Sequence, residues 1–171
     1  ARHHLTPLIF QGIRMEVCQK TWAHLGLLQV VFSGFESLLD YQFVKHTNTP
    51  LENFPEKFGG KTLGRKIGLL KDLAKNHAGL ALSATKAEIL FSDSNRNTFA
   101  HGRYFTSRTA GGVKAVNVKT YPVSKDDVVD MTREEFIEFV KEFSLAVHAF
   151  QVEIGVQEND LIEFTTKLTS P

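Results

Sequence analysis

Apolar residues recur along this chain at the three- and four-residue spacings of amphipathic helices, and the pattern sorts most of the sequence into elements. Across residues 16–46, Leu25, Leu28, Phe32, Phe35 and Leu39 form one stripe of a single long helix. At roughly 30 residues it exceeds the usual ten to fourteen. Gly26 and Gly34 lie inside it; each weakens a helix by about 1 kcal/mol relative to alanine and often marks close approach of another backbone. Residues 47–55, with two prolines and two asparagines, read as a loop. A second helix is predicted over residues 61–75, with Leu63, Ile67, Leu70 and Ala74 facing inward. After a break at 76–79, a third runs over residues 80–101 on Leu80, Ala84, Ala87 and Phe91, with Gly102 placed for a left-handed C-terminal cap.

The period then changes. Within residues 103–123, Tyr104-Phe105-Thr106 leads into Ala110-Gly111-Gly112, and Val113, Ala115 and Val118 follow in approximate alternation, which predicts a β-hairpin turning at the two glycines. Such a hairpin is marginal alone and must lie against helices or pair with a second copy. A last long helix opens at Thr132, where Thr132 and Glu135 make an S/T-x-x-E capping box ahead of Phe136, Phe139, Val140, Phe143, Val147 and Phe150. Residues 158–171 read as a polar tail, and residues 1–15 as an irregular leader that could derive from an expression tag. The expectation is one mostly α domain over residues 16–157, a helical bundle with a β-hairpin before its last long helix.

Composition narrows the class. A chain of 171 residues, 42% hydrophobic and 23% charged, is sized for one domain with one core and is too apolar for disorder. The one cysteine, Cys18, excludes an internal disulfide and a thiolate zinc site, and points to a reducing, cytoplasmic compartment. No apolar run approaches the roughly 18 residues of a membrane span, and the first fifteen residues lack a signal-peptide core. No membrane association is expected.

Net charge is +1, but it is unevenly spread. Residues 1–56 carry −1, residues 57–119 carry +9 and residues 120–171 carry −7. The basic middle suits an anionic partner, and the acidic last third a basic one; solvated helix faces of opposite sign would give the same pattern.

Candidate chemistry is sparse. Phe58-Gly59-Gly60-Lys61-Thr62 ends like a phosphate-binding loop, but Pro55 stands where the first glycine is required and no strand precedes it. The seven histidines include no i, i+4 pair and no H-E-x-x-H, so no metal site and no cofactor is predicted. What remains is Arg96-Asn97-Thr98-Phe99-Ala100-His101-Gly102, an arginine five residues before a histidine at a helix end, with asparagine directly after the arginine.

That segment resembles the R-x4-6-H motif of HEPN domains, Asn97 occupying the frequent polar position after the arginine. The order of elements is also similar, over roughly residues 16–156. The resemblance implies a helical bundle that dimerises to bring two motifs into one cleft. It further implies a metal-independent endoribonuclease of a toxin–antitoxin, CRISPR-linked or anti-phage system, or else a silent member that binds nucleic acid, a nucleotide or a partner protein. The hairpin at 103–123 lies outside the minimal bundle.

Helix geometry and residue chemistry bear on this independently. At 100° per residue, Asn97 and His101 lie about 40° apart on one face, whereas Arg96 and His101 lie about 140° apart. A distorted last turn, a swung arginine or a second subunit would bring the latter pair together; an antiparallel homodimer does so most directly. Imidazole titrates near neutral pH and suits a general base toward a ribose 2′-OH. The guanidinium fork of Arg96 suits a phosphate gaining negative charge, and the Asn97 amide could orient either group. The product would be a 2′,3′-cyclic phosphate and a free 5′-OH, a route closed to DNA.

Plainer roles fit the same residues: His101 favoured by the helix dipole when protonated, Arg96 paired with Asp93 or another carboxylate, Asn97 on the surface. Around the motif, Lys61, Arg65, Lys66, Arg103 and Tyr104 are candidate nucleic-acid contacts. Lys61 and Arg65 would share a helix face at i, i+4, and Tyr104 and Phe105 could stack a base. The expected partners are RNA, a second copy of the chain and, through the acidic last third, a basic antitoxin or defence-system protein.

Overall fold

The computed structural model describes residues 5–10, 13–107, 109, 111–119 and 121–170. In chain order its strands and α-helices are β1 (Leu5–Phe10), β2 (Ile13–Cys18), α1 (Gln19–Thr47), α2 (Leu63–Ala74), α3 (Ala81–Phe91), α4 (Ser94–His101), β3 (Arg103–Thr106), β4 (Val113–Val116), β5 (Val128–Met131), α5 (Arg133–Glu153) and α6 (Glu158–Thr169). The chain is mostly helical, with a small antiparallel sheet in the order β3-β4-β5 and a separate β1-β2 pair. Among the described residues no helix is long and apolar enough to cross a membrane.

Two compact units divide the chain, the first made of residues 1–31 and 92–145, the second of 32–91 and 146–171. In the first, Phe99 of α4 is buried among aromatic rings, its centroid 5.4 Å from that of Phe136 and 5.0 Å from that of Phe139 on α5. The sheet adds Val113, Ala115 and Val129 to this core. The buried hydroxyl of Thr21 on α1 donates to the carbonyl of Gly111 at 2.5 Å, tying the helix to the β3–β4 connection.

The second unit is built on a phenylalanine cluster. Phe43 and Phe58 stack at 4.3 Å, Phe54 meets Phe164 edge-on at 5.9 Å, and Phe35 meets Phe150 at 5.4 Å. Offset and edge-on pairs of this kind add to the area the rings bury. Phe54 comes from residues 47–55, expected as loop, where a short 3-10 turn (Leu51–Asn53) forms, and Phe58 from the π-helical turn that follows (Pro55–Gly59).

Several sequence expectations are corrected. Within the leader expected to be irregular, residues 5–10 and 13–15 lie in strands: β1 and β2 pair antiparallel from Leu5↔Cys18 to Phe10↔Ile13. Ile13, Met15 and Val17 alternate with Arg14 and Glu16, the period of two that marks a strand and not a helix. The long helix therefore starts at Gln19, after β2, and ends at Thr47, where Asn48 takes a left-handed φ of 52° and donates its N–H to the Val44 carbonyl.

The polar tail is a helix. Gly155 (φ 67°) stops α5, the Asp160 carboxylate accepts from the Gln157 N–H at 2.8 Å, and Phe164 anchors α6 in the core. The hairpin of residues 103–123 forms and gains a third strand, β5, paired with β4 from Val113↔Met131 to Val116↔Val128. The capping box at Thr132 is present in both directions: the Thr132 N–H donates to Glu135 at 2.8 Å and the Glu135 N–H to the Thr132 hydroxyl at 3.2 Å.

Candidate functional site

The single helix expected over residues 80–101 is two helices, and the break shapes the motif. α3 ends at Phe91 and α4 starts afresh at Ser94, with Asp93 extended (φ −62°, ψ 120°) as its N-cap. The Asp93 carboxylate accepts the N–H of Asn95 at 2.8 Å and of Arg96 at 3.2 Å. Ser92, Asp93, Ser94 and Asn95 all prefer caps and turns to helix interiors, because their side chains compete for nearby backbone groups. Apolar periodicity carries across such a run without registering it.

Arg96, Asn97 and His101 thus share one eight-residue helix, about 12 Å long at 1.5 Å per residue. Thr98 and Phe99 face inward and are almost fully buried, which fixes the rotation of the helix. Arg96 and Asn97 are half-buried, and His101, the last residue, is exposed. The guanidinium carbon of Arg96 lies 4.9 Å from the centre of the Phe143 ring of α5, a cation–π contact. Arg96 and His101 differ by about 7.5 Å along the axis and about 140° around it, so they do not share a face of their own helix.

Gly102 ends α4 without the expected left-handed turn. Its backbone is extended (φ −78°, ψ 164°), and its N–H donates to the Thr98 carbonyl at 2.6 Å. Glycine is needed for a different reason: a Cβ there would strike the Thr98 carbonyl oxygen and lie 3.3 Å from backbone atoms of Val116. β3 follows at once, so Arg103, exposed at its start, is two residues from His101.

Tyr104 is committed to the core side. Its ring stacks on Phe99 at 6.1 Å, its hydroxyl donates to the Phe99 carbonyl at 2.8 Å, and Gln29 Nε2 donates to that hydroxyl at 3.4 Å. Burial raises the phenol above the ordinary tyrosine range, opposed in part by the Gln29 hydrogen bond. Tyr104 also lines an apolar pocket of 320 Å³ with Trp22, Leu25, Gly26 and Gln29. Phe99 thus covers one face of this ring. Phe105, its neighbour, is 43% exposed.

Lys66 is also removed from the surface expected of it. Only 2% of its side chain is exposed; the ammonium lies 2.8 Å from Asp40, 3.8 Å from Glu36 and 5.8 Å from the centre of the Phe58 ring. Burial raises the Asp40 carboxyl above its ordinary value, with Lys66 opposing the shift. Lys61 and Arg65 are exposed, but α2 begins at Leu63, so Lys61 precedes the helix and the two share no helix face. Both belong to the second compact unit, whereas Arg96, Asn97, His101, Arg103 and Tyr104 belong to the first.

Sequence reasoning missed Asp93 as the cap that restarts the motif helix and Phe143 as the surface under Arg96. Aspartate three residues before Arg96 carried the first signal; nothing local to the motif carried the second. Among the described residues no group of three or more His, Cys, Asp and Glu side chains could hold a metal ion. No protein-family model, curated protein or solved structure matches this chain.

Proposed function

We propose that this chain is a HEPN-type endoribonuclease, acting as a homodimer without a metal in a toxin or phage-defence system. The observation that carries the reading is α4 itself: a short capped helix that holds Arg96 and Asn97 and ends on an exposed His101. His101 takes the proton of a ribose 2′-OH as the O2′–P bond forms. The P–O5′ bond breaks, and the departing oxygen takes a proton from water, leaving a 2′,3′-cyclic phosphate and a 5′-OH. Arg96 neutralises charge growing on the phosphate, and Asn97, on the same face as His101, orients the imidazole. An antiparallel second copy sets the partner subunit's motif opposite, which answers the 140° between Arg96 and His101.

A second reading is favoured by the packing of Arg96 on Phe143. An arginine used as a core-edge aromatic cap belongs to a silent module that binds RNA, a nucleotide or a partner protein such as a basic antitoxin. Incubation of wild-type and His101→Ala protein with total RNA and a tRNA pool in EDTA separates the two. Cleavage by wild type alone, leaving cyclic phosphate ends, is the result expected of the enzyme. Intact RNA in both lanes, with salt-sensitive retention on the protein, is the result expected of the module.

A further inference from the structure

The three-stranded sheet has two unlike faces, and its register decides which residue lies on which. Directly opposed residues of antiparallel strands point to the same side, and neighbours along a strand point to opposite sides. Tyr104, Ala115 and Val129 oppose one another in sequence across the sheet, and they form the inner face. The outer face then carries Arg103 opposite Val116, and Phe105 opposite Lys114. On β5 it continues with Val128 and Asp130.

On this outer face a large aromatic ring stands next to two cations, with Asp130 opposite the second of them. Phe105 keeps 43% of its surface exposed. Arg103 is two residues back on the same strand, about 7 Å away between Cα atoms, and Lys114 is directly across. Neither Arg103 nor Lys114 makes an ion pair among the described residues. The one carboxylate on the face, Asp130, accepts the Ser107 hydroxyl at 2.5 Å.

We infer that this outer face is a platform for single-stranded RNA, one base stacked on Phe105 and the flanking phosphates held by Arg103 and Lys114. The inference rests on the ribonuclease reading for the identity of the ligand and adds its state: unpaired. A phenyl ring can stack only on a base whose face is open, and a duplex closes those faces. Two cations beside the ring match the alternation of phosphate and base along a strand. The site is also continuous with the motif. Arg103 Cα lies within about 7 Å of His101 Cα, and Phe105 Cα within about 14 Å, so one strand can reach both.

The test uses the whole chain and a labelled 2′-O-methyl oligouridine of about 12 nucleotides, long enough for one such site. The probe has no free 2′-OH and is not cleaved by this route. Fluorescence anisotropy is expected to show Phe105→Ala weakening binding about 5- to 150-fold, while Phe105→Tyr retains it. Arg103→Ala and Lys114→Ala are each expected to lower the slope of log K against log salt by about 0.7. In Phe105→Trp the new indole is expected to be quenched by the probe, beyond any change at Trp22.

Three results would overturn the platform: a folded Phe105→Ala variant that binds as wild type, a duplex of equal length that binds as tightly, or a polyglutamate peptide that does. Its failure is distinct from that of the nuclease reading. Phe105-dependent binding without cleavage of unmodified RNA removes the nuclease and leaves the platform. Cleavage and binding both unaltered in Phe105→Ala remove the platform and leave the nuclease.

Discussion

The guanidinium of Arg96 rests on the ring of Phe143, 4.9 Å from its centre, so one helix of the first unit supplies the floor for the cation of another. Phe143 is 1% exposed. Phe143→Ala is expected to cost about 3–5 kcal/mol, mostly through the cavity it leaves. Phe143→Leu keeps most of the volume but removes the π-face, so it should unfold at nearly the wild-type urea midpoint while losing cleavage. Arg96→Lys is expected to behave likewise, because an ammonium does not reproduce a planar fork. Equal loss of stability and activity in both conservative variants would point to a structural arginine.

Asp93 begins α4 by holding two of its backbone N–H groups. Asp93→Ala should lower stability by about 1 kcal/mol, and Asp93→Ser or Asp93→Asn should recover most of it. Cleavage is expected to follow the same order, since the cap sets where Arg96 begins. Thermal melts and initial rates on one RNA would check both.

Gly102 stands where a side chain would meet backbone rather than flexible atoms. Gly102→Ala is therefore expected to destabilise by about 1–3 kcal/mol and to separate His101 from the start of β3. A melting temperature equal to wild type would show that the junction yields.

The buried pair of Lys66 and Asp40 gives a pH signature. Burial raises Asp40, so the folded chain holds its proton to higher pH than the unfolded chain does. Asp40's contribution is full below its unfolded value near 3.8 and is lost as pH rises through its raised folded value. Asp40→Asn should flatten that slope in urea midpoints measured across the acid range. Lys66→Ala, by contrast, leaves the Asp40 carboxylate buried without its cation and is expected to cost about 3–5 kcal/mol at neutral pH. Lys66→Met with Asp40→Leu should restore stability, and RNA affinity should be unchanged throughout.

Much of the helical frame was legible because burial follows period: Leu28, Phe35, Leu39, Leu63, Ile67, Leu80, Ala84, Phe136 and Val140 are all buried as their spacing requires. The capping box at Thr132 and the hairpin after Gly102 were legible for local reasons. Errors came where one signal masked another. The helical stripe from Leu25 onward masks the short alternation of Ile13, Met15 and Val17, and the stripe through Phe91 masks the cap at Asp93. Lys66 shows a different limit. Its neighbours Arg65 and Lys71 are on the surface, and only the third dimension reveals that Asp40 and Glu36 draw Lys66 inside. For the same reason Tyr104 and Phe105, adjacent and alike in sequence, part to opposite faces of a strand.

The gap at Ser92 and Asp93 also changes what the motif can survive. One residue added inside an unbroken helix would swing everything after it through 100°. Asp93 instead starts α4 from its own carboxylate, so a slip in the register of α3 stops at the gap and leaves Arg96 to His101 in their orientation. The rotation of α4 about its own axis is thereby set by its own cap and not by the turns of α3.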